Sequence, residues 1–157
     1  MIRELNSLIV RYIDGLIAWL SENGWAGWDP YDLWETEAGK WMSQRKTVIQ
    51  KTSGFMVSHL EELAPIVLRR LFGAKQQINA KAMGLFAAAF LELEVCEGAP
   101  RILNGKKAYD DCFDWLEKNR VTGYGGCGWG YPFDWRSRQT ILRNTPTVVN
   151  SAIIGDA

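Results

Sequence analysis

From Ala82 to Leu91 the chain runs Ala-Met-Gly-Leu-Phe-Ala-Ala-Ala-Phe-Leu, ten residues without a polar side chain. Asn79 stands where a helix would be capped, and Gly98 and Pro100 stand where it would stop, so the run reads as one helix ending near Glu97. A helix with no polar side has to be enclosed by others. The segment therefore places the chain among all-α folds and marks its own helix as the centre.

The surrounding helices are legible from period and punctuation. Ile2, Leu5, Ile9, Tyr12, Ile13, Leu16, Trp19 and Leu20 follow a 3.6-residue repeat that Gly24 closes. Arg3, Glu4, Arg11 and Asp14 interrupt that run, which excludes a signal peptide and a membrane span. A weaker pattern gives one helix over Glu37–Thr52 and another over Gly54–Ala64. Pro65 then opens a turn that continues through Ile66–Phe72 to Gly73. Over Lys107–Arg120, Tyr109, Cys112, Phe113 and Leu116 fall at i, i+3, i+4 and i+7. Thr145 and Pro146 read as the cap and first residue of a helix through Val148, Val149, Ala152 and Ile153. No strand series accompanies these segments, so the expectation is a single domain over 1–157 built from successive helical hairpins. An apolar helix as short as the last one is marginal without neighbours. The chain thus reads as the N-terminal part of a larger helical domain, or as one that pairs with another chain.

Two segments fit neither helix nor core. Gly123–Trp135 sets five glycines among Tyr124, Trp129, Tyr131, Phe133 and Trp135, followed by Arg136 and Arg138. Glycine loses the most entropy on ordering and buries no side chain, so this stretch reads as a loop that presents rings. Trp25–Trp34 is a second ring-rich connection, with Asp29-Pro30 as a turn or helix start. Composition narrows what these loops could bind. The 18 basic and 18 acidic residues balance, leaving no electrostatic footprint for nucleic acid or an anionic membrane. Three widely spaced cysteines argue against a disulfide framework and for a reducing, cytoplasmic setting. With His59 the only histidine, a zinc site would need distant carboxylates, so no metal is read.

The order Trp28-Asp-Pro-Tyr-Asp32, Ala64–Gly73, Asn79–Phe86, Trp129–Trp135 and Thr145-Pro-Thr-Val-Val149 resembles the opening half of a largely uncharacterised microbial family similar to the α/α-toroid proteins. That group includes six-hairpin glycosidases and terpenoid cyclase or prenyltransferase-like domains. The resemblance spans nearly the whole chain and implies helical hairpins forming an incomplete α/α toroid around a cleft. Where the family's first loop usually reads Gly-Tyr-Asp-Pro-Tyr-Asp-Gly, residues 27–33 here read Gly-Trp-Asp-Pro-Tyr-Asp-Leu. It also implies a role in polysaccharide biosynthesis, with a saccharide or polysaccharide intermediate as partner and no cofactor.

Beside that resemblance the residues suggest their own chemistry. Trp28, Tyr31, Trp129, Tyr131 and Trp135 offer flat apolar faces to sugar rings, and Arg136 and Arg138 could hold an acidic or phosphorylated group. Asp134 with Asp29 or Asp32 could supply the two carboxyl groups that glycoside hydrolysis needs. The competing explanation is that the rings fill helix ends and the aspartates cap helices or pair with arginine. Asp110-Asp111-Cys-Phe-Asp114 matches the aspartate-rich pattern by which isoprenoid enzymes hold magnesium and diphosphate, but also suits the first turns of a helix. A non-enzymatic helical binding or scaffold module is the third reading, and His59 receives no role.

Overall fold

The computed structural model describes residues 2–95, 105–136 and 139–156. Among them the elements run α1 (Ile2–Asn23), α2 (Asp32–Glu35), α3 (Glu37–Ser43), α4 (Val48–Leu63), α5 (Pro65–Leu71), α6 (Ala80–Val95), α7 (Gly105–Lys118), β1 (Val121–Thr122), β2 (Cys127–Gly128), β3 (Trp135–Arg136), β4 (Thr140–Ile141) and α8 (Val148–Asp156). The class is all-α, with strand among the described residues confined to two ladders of two-residue strands. The chain divides into two compact units, a smaller one of Gly27–Gln77 and a larger one of Met1–Ala26 with Ile78–Ala157.

In the larger unit the core is built on α6. Ala80, Met83, Ala87 and Phe90 bury against Ala108, Cys112 and Leu116 of α7, Ile17 of α1 and Ile154 of α8. Asn79 caps α6 as expected, its side-chain oxygen accepting from the Lys81 N–H at 3.0 Å. The expectation that α6 is enclosed on all sides fails, because Leu85 and Leu91 face solvent. Among the described residues its buried positions, Ala80, Met83, Gly84, Ala87 and Phe90, share one face. Gly84 permits a close approach of α8: a Cβ there would lie 2.7 Å from Ile154 Cγ1 and 3.3 Å from its Cα. The stop expected at Gly98 and Pro100 lies outside the described residues.

Helix α1 ends where the sequence places it, with Gly24 at φ 77° and its N–H bonded to the Leu20 carbonyl. Its buried face is Ile17 and Leu20 with Ile13 beside them, while Tyr12, Leu16 and Trp19 stay exposed. On α7 the buried row is Ala108, Cys112 and Leu116 at four-residue steps, and Phe113 is exposed. Helix α8 starts later than expected. Thr147, not Thr145, accepts from the Asn150 N–H through its hydroxyl, and Pro146 precedes the helix.

The smaller unit has its own core of Leu33, Met42 and Val57 with Trp34 and Phe72 packed on it. One helix over Glu37–Thr52 does not form. The chain breaks after Ser43, Arg45 takes φ 51°, and Thr47 restarts a helix in a capping box with Gln50. That helix, α4, then runs through Gly54, where a break was expected. Pro65 opens α5 and Gly73 closes it at φ 69°, both as read from the sequence. Val48, Phe55, Met56 and Leu63 leave an exposed apolar row on α4.

Candidate functional site

The aromatic turn of the smaller unit is held by its own backbone and two carboxylates. Gly27 and Gln77 exchange backbone hydrogen bonds at 3.1 and 2.9 Å, fixing both ends of the unit. Asp29 is not a helix cap: its Oδ1 accepts from the Tyr31 N–H at 3.2 Å, an Asx turn around Pro30. The helix begins at Asp32 instead, behind Tyr31, which supplies no side-chain cap. Asp32 reaches back, Oδ2 accepting from the Asp29 N–H at 2.5 Å while Oδ1 accepts from Gln77 Nε2 at 3.3 Å.

Asp32 is only 2% exposed, and burial pushes its carboxyl above the ordinary value of 3.8. The bonds from Asp29 and Gln77 and the charge of Arg69 oppose that rise, and the charge of Asp29 adds to it. Arg69 is itself buried, donating to Glu61 at 2.7 Å and to the carbonyls of Asp29 and Pro65 at 3.3 and 3.2 Å. Trp28 Nε1 and Arg69 Nε are buried without a hydrogen-bond partner among the described residues, and the Arg70 guanidinium lies 6.0 Å from the Trp28 ring centroid. Tyr31 stands exposed beside this cluster. Chemically, the turn sets a buried acid, Asp32, and the carboxyl group of Asp29 on one short loop.

The other aromatic segment belongs to the larger unit. Its glycines work at the turn of β1 and β2, where Gly123 and Gly125 take φ of 112° and 78°. Trp129 is fastened into the core: Nε1 donates to the Leu116 carbonyl at 2.9 Å and its N–H to Ser151 Oγ at 3.1 Å. It borders a crevice of about 100 Å³ with Tyr109, Phe113 and Glu117. Tyr131, by contrast, makes a corner with Trp135, ring centroids 5.3 Å apart and planes at 85°, both rings half-buried. Phe133 backs Tyr131 from the interior, stacked at 5.2 Å. Asp134 Oδ1 accepts from the Arg143 N–H at 2.9 Å, and Arg143 Nη2 donates to the Pro132 carbonyl at 2.7 Å, so the corner is braced across the β3–β4 hairpin.

The expected residues thus gather into two groups, Trp28, Asp29, Tyr31 and Asp32 in the smaller unit and Tyr131, Asp134 and Trp135 in the larger. The carboxyl pair that shares one turn is Asp29 with Asp32. The side chain of Arg136 and all of Arg138 lie outside the described residues. Glu61, Arg69 and Gln77 were not anticipated. Their one sequence signal is an opposite-charge spacing of eight between Glu61 and Arg69, broken by a proline.

The aspartate-rich segment sits on α7, where Asp110 pairs with Lys106 at 3.5 Å and Asp111 with Lys107 at 3.1 Å. Among the described residues no three His, Cys, Asp or Glu side chains come together to hold a metal ion. His59 lies edge-on to Phe55 at 4.3 Å. Cys112 is buried, and burial with the Asp111 charge pushes its thiol up to about 12, which leaves it unreactive. No described helix is long and apolar enough to cross a membrane. Comparison with known proteins found no matching family model, no matching curated protein and no matching solved structure.

Proposed function

We propose that the protein binds saccharide in polysaccharide synthesis or processing, on helical hairpins that form part of an α/α toroid. The observation that carries this reading is the Tyr131–Trp135 corner, two half-buried rings at 85° braced from behind by Phe133. A pyranose ring has one apolar C–H face, which an aromatic face covers, and equatorial hydroxyls that a carboxylate such as Asp134 receives at the edge. The corner is held rigid by Arg143 and the hairpin, so little side-chain entropy is lost when a sugar docks. In the smaller unit Tyr31 is the exposed ring, on the same turn as Asp29 and Asp32.

The test is titration of the protein with oligosaccharides, neutral and uronic-acid-containing, followed by indole N–H shifts in NMR. Saturable shifts at the Trp135 indole, with binding weakened about tenfold or more in Trp135→Ala and Tyr131→Ala, are the expected result. Shifts absent from Trp135 in every titration, or unaffected by both substitutions, would overturn the reading.

A further inference from the structure

A second concave feature in the larger unit is lined by none of the residues of the aromatic corner and owes nothing to the saccharide reading. Between the C-terminal half of α1 and the first two turns of α7 is a cleft of about 470 Å³, within the range of roughly 300–1,000 Å³ typical of small-molecule sites. Its floor is aliphatic, made by Ile17, Leu20 and Ala108, all buried. Trp25 forms a wall, its ring held edge-on against Phe86 at 5.5 Å. The rim carries one charge of each sign, Lys107 and Asp111, 3.1 Å apart.

Those two charges pair with each other, and the pair is exposed and weakly held. Their side chains are 72% and 46% exposed, and a cation placed four residues before an anion is the weaker orientation of a helical ion pair. Ser21 also borders the cleft, but its hydroxyl proton is committed to the Ile17 carbonyl at 2.9 Å. The cleft therefore presents an apolar seat below one anionic and one cationic contact.

We propose that this cleft binds a free α-amino acid with an apolar side chain. Its ammonium meets Asp111, its carboxylate meets Lys107, and the four charges alternate in sign. Its side chain rests on Ile17, Leu20 and Ala108 against the Trp25 indole. A sugar fits this cleft less well. Hydroxyls turned toward the aliphatic floor would lose their hydrogen bonds to water and gain none. A peptide terminus carries only one of the two charges.

Calorimetric titration of the whole chain with L-leucine, L-phenylalanine, N-acetyl-L-leucine amide and glucose separates these cases. The expected result is saturable binding of leucine or phenylalanine with Kd near or below about 1 mM, and at least about tenfold weaker binding of the charge-blocked amide. Asp111→Asn, on the exposed side of α7, weakens binding similarly while leaving the circular dichroism unchanged. Equal binding of the blocked amide, binding of glucose in place of the amino acids, or no saturation by about 10 mM amino acid would each overturn the proposal. Saccharide binding at Trp135 is read separately, so failure here leaves that reading standing and the reverse.

Discussion

A carboxyl group buried to 2% exposure while accepting two hydrogen bonds is pulled both ways, and at Asp32 burial prevails. Its native pKa lies above 3.8, so between 3.8 and the native value the folded chain holds a proton that the unfolded chain releases. Stability from this group is present below 3.8 and is lost as pH rises through the native value. Asp32→Asn cannot ionise and escapes that loss. We expect the stability of the variant relative to the parent to rise with pH across that window, measured as urea midpoints at successive pH values. A difference that stays flat would contradict the direction assigned to Asp32. Asn150 shows a different cost at the same scale: it is fully buried and both side-chain polar atoms lack partners among the described residues, a burden of about 1–3 kcal/mol for each such group.

Helix boundaries are decided by small local devices, and their legibility varied with the device. Gly24, Pro65, Gly73 and Asn79 were readable because a cap or a proline acts on its own few residues. The break between α3 and α4 was equally local, carried by Thr47 and Gln50, yet the weak apolar pattern over 37–52 obscured it. Gly39 needed tertiary information. A Cβ at Gly39 would run into the Leu33 carbonyl and lie 2.6 Å from Trp34 Cα, because α3 folds back directly on α2. Gly39→Ala should therefore cost about 3 kcal/mol through overpacking. Gly15, inside α1, would place its Cβ in open space, and Gly15→Ala should stabilise by about 0.5–1 kcal/mol. Thermal and urea unfolding of both variants checks the pair, and similar effects at the two positions would refute the packing argument.

At the scale of the whole molecule, the described residues form two hydrophobic cores. Leu33, Met42 and Val57 anchor Gly27–Gln77, and Met83, Phe90, Cys112 and Leu116 anchor the larger unit. Leu33 is fully buried, so Leu33→Ala should cost about 2–5 kcal/mol. If each unit is held by its own core, hydrogen exchange in that variant accelerates across α3 and α4 while α6 and α7 keep their protection. Uniform acceleration throughout the chain would show that the two cores unfold together. The polar cluster of the smaller unit belongs to this scale as well. Gln77 reaches Asp32 across 45 residues and Arg69 reaches Asp29 across 40, so no local pattern could announce them.

By itself the sequence determined the helical class, the helix ends set by a glycine, a proline or Asn79, and the two segments that carry rings and acids. Those properties follow from periodicity, caps and the special backbones of glycine and proline, which act within a few residues. Tertiary structure decided which face of each helix is covered, that Trp129 is fastened to α7 while Tyr131 and Trp135 form a corner, and that Asp32 rather than Asp29 is the buried acid. Burial and hydrogen-bond partners come from residues distant in the chain, and exposure to water, which sets both packing and proton affinity, exists only once those residues have met.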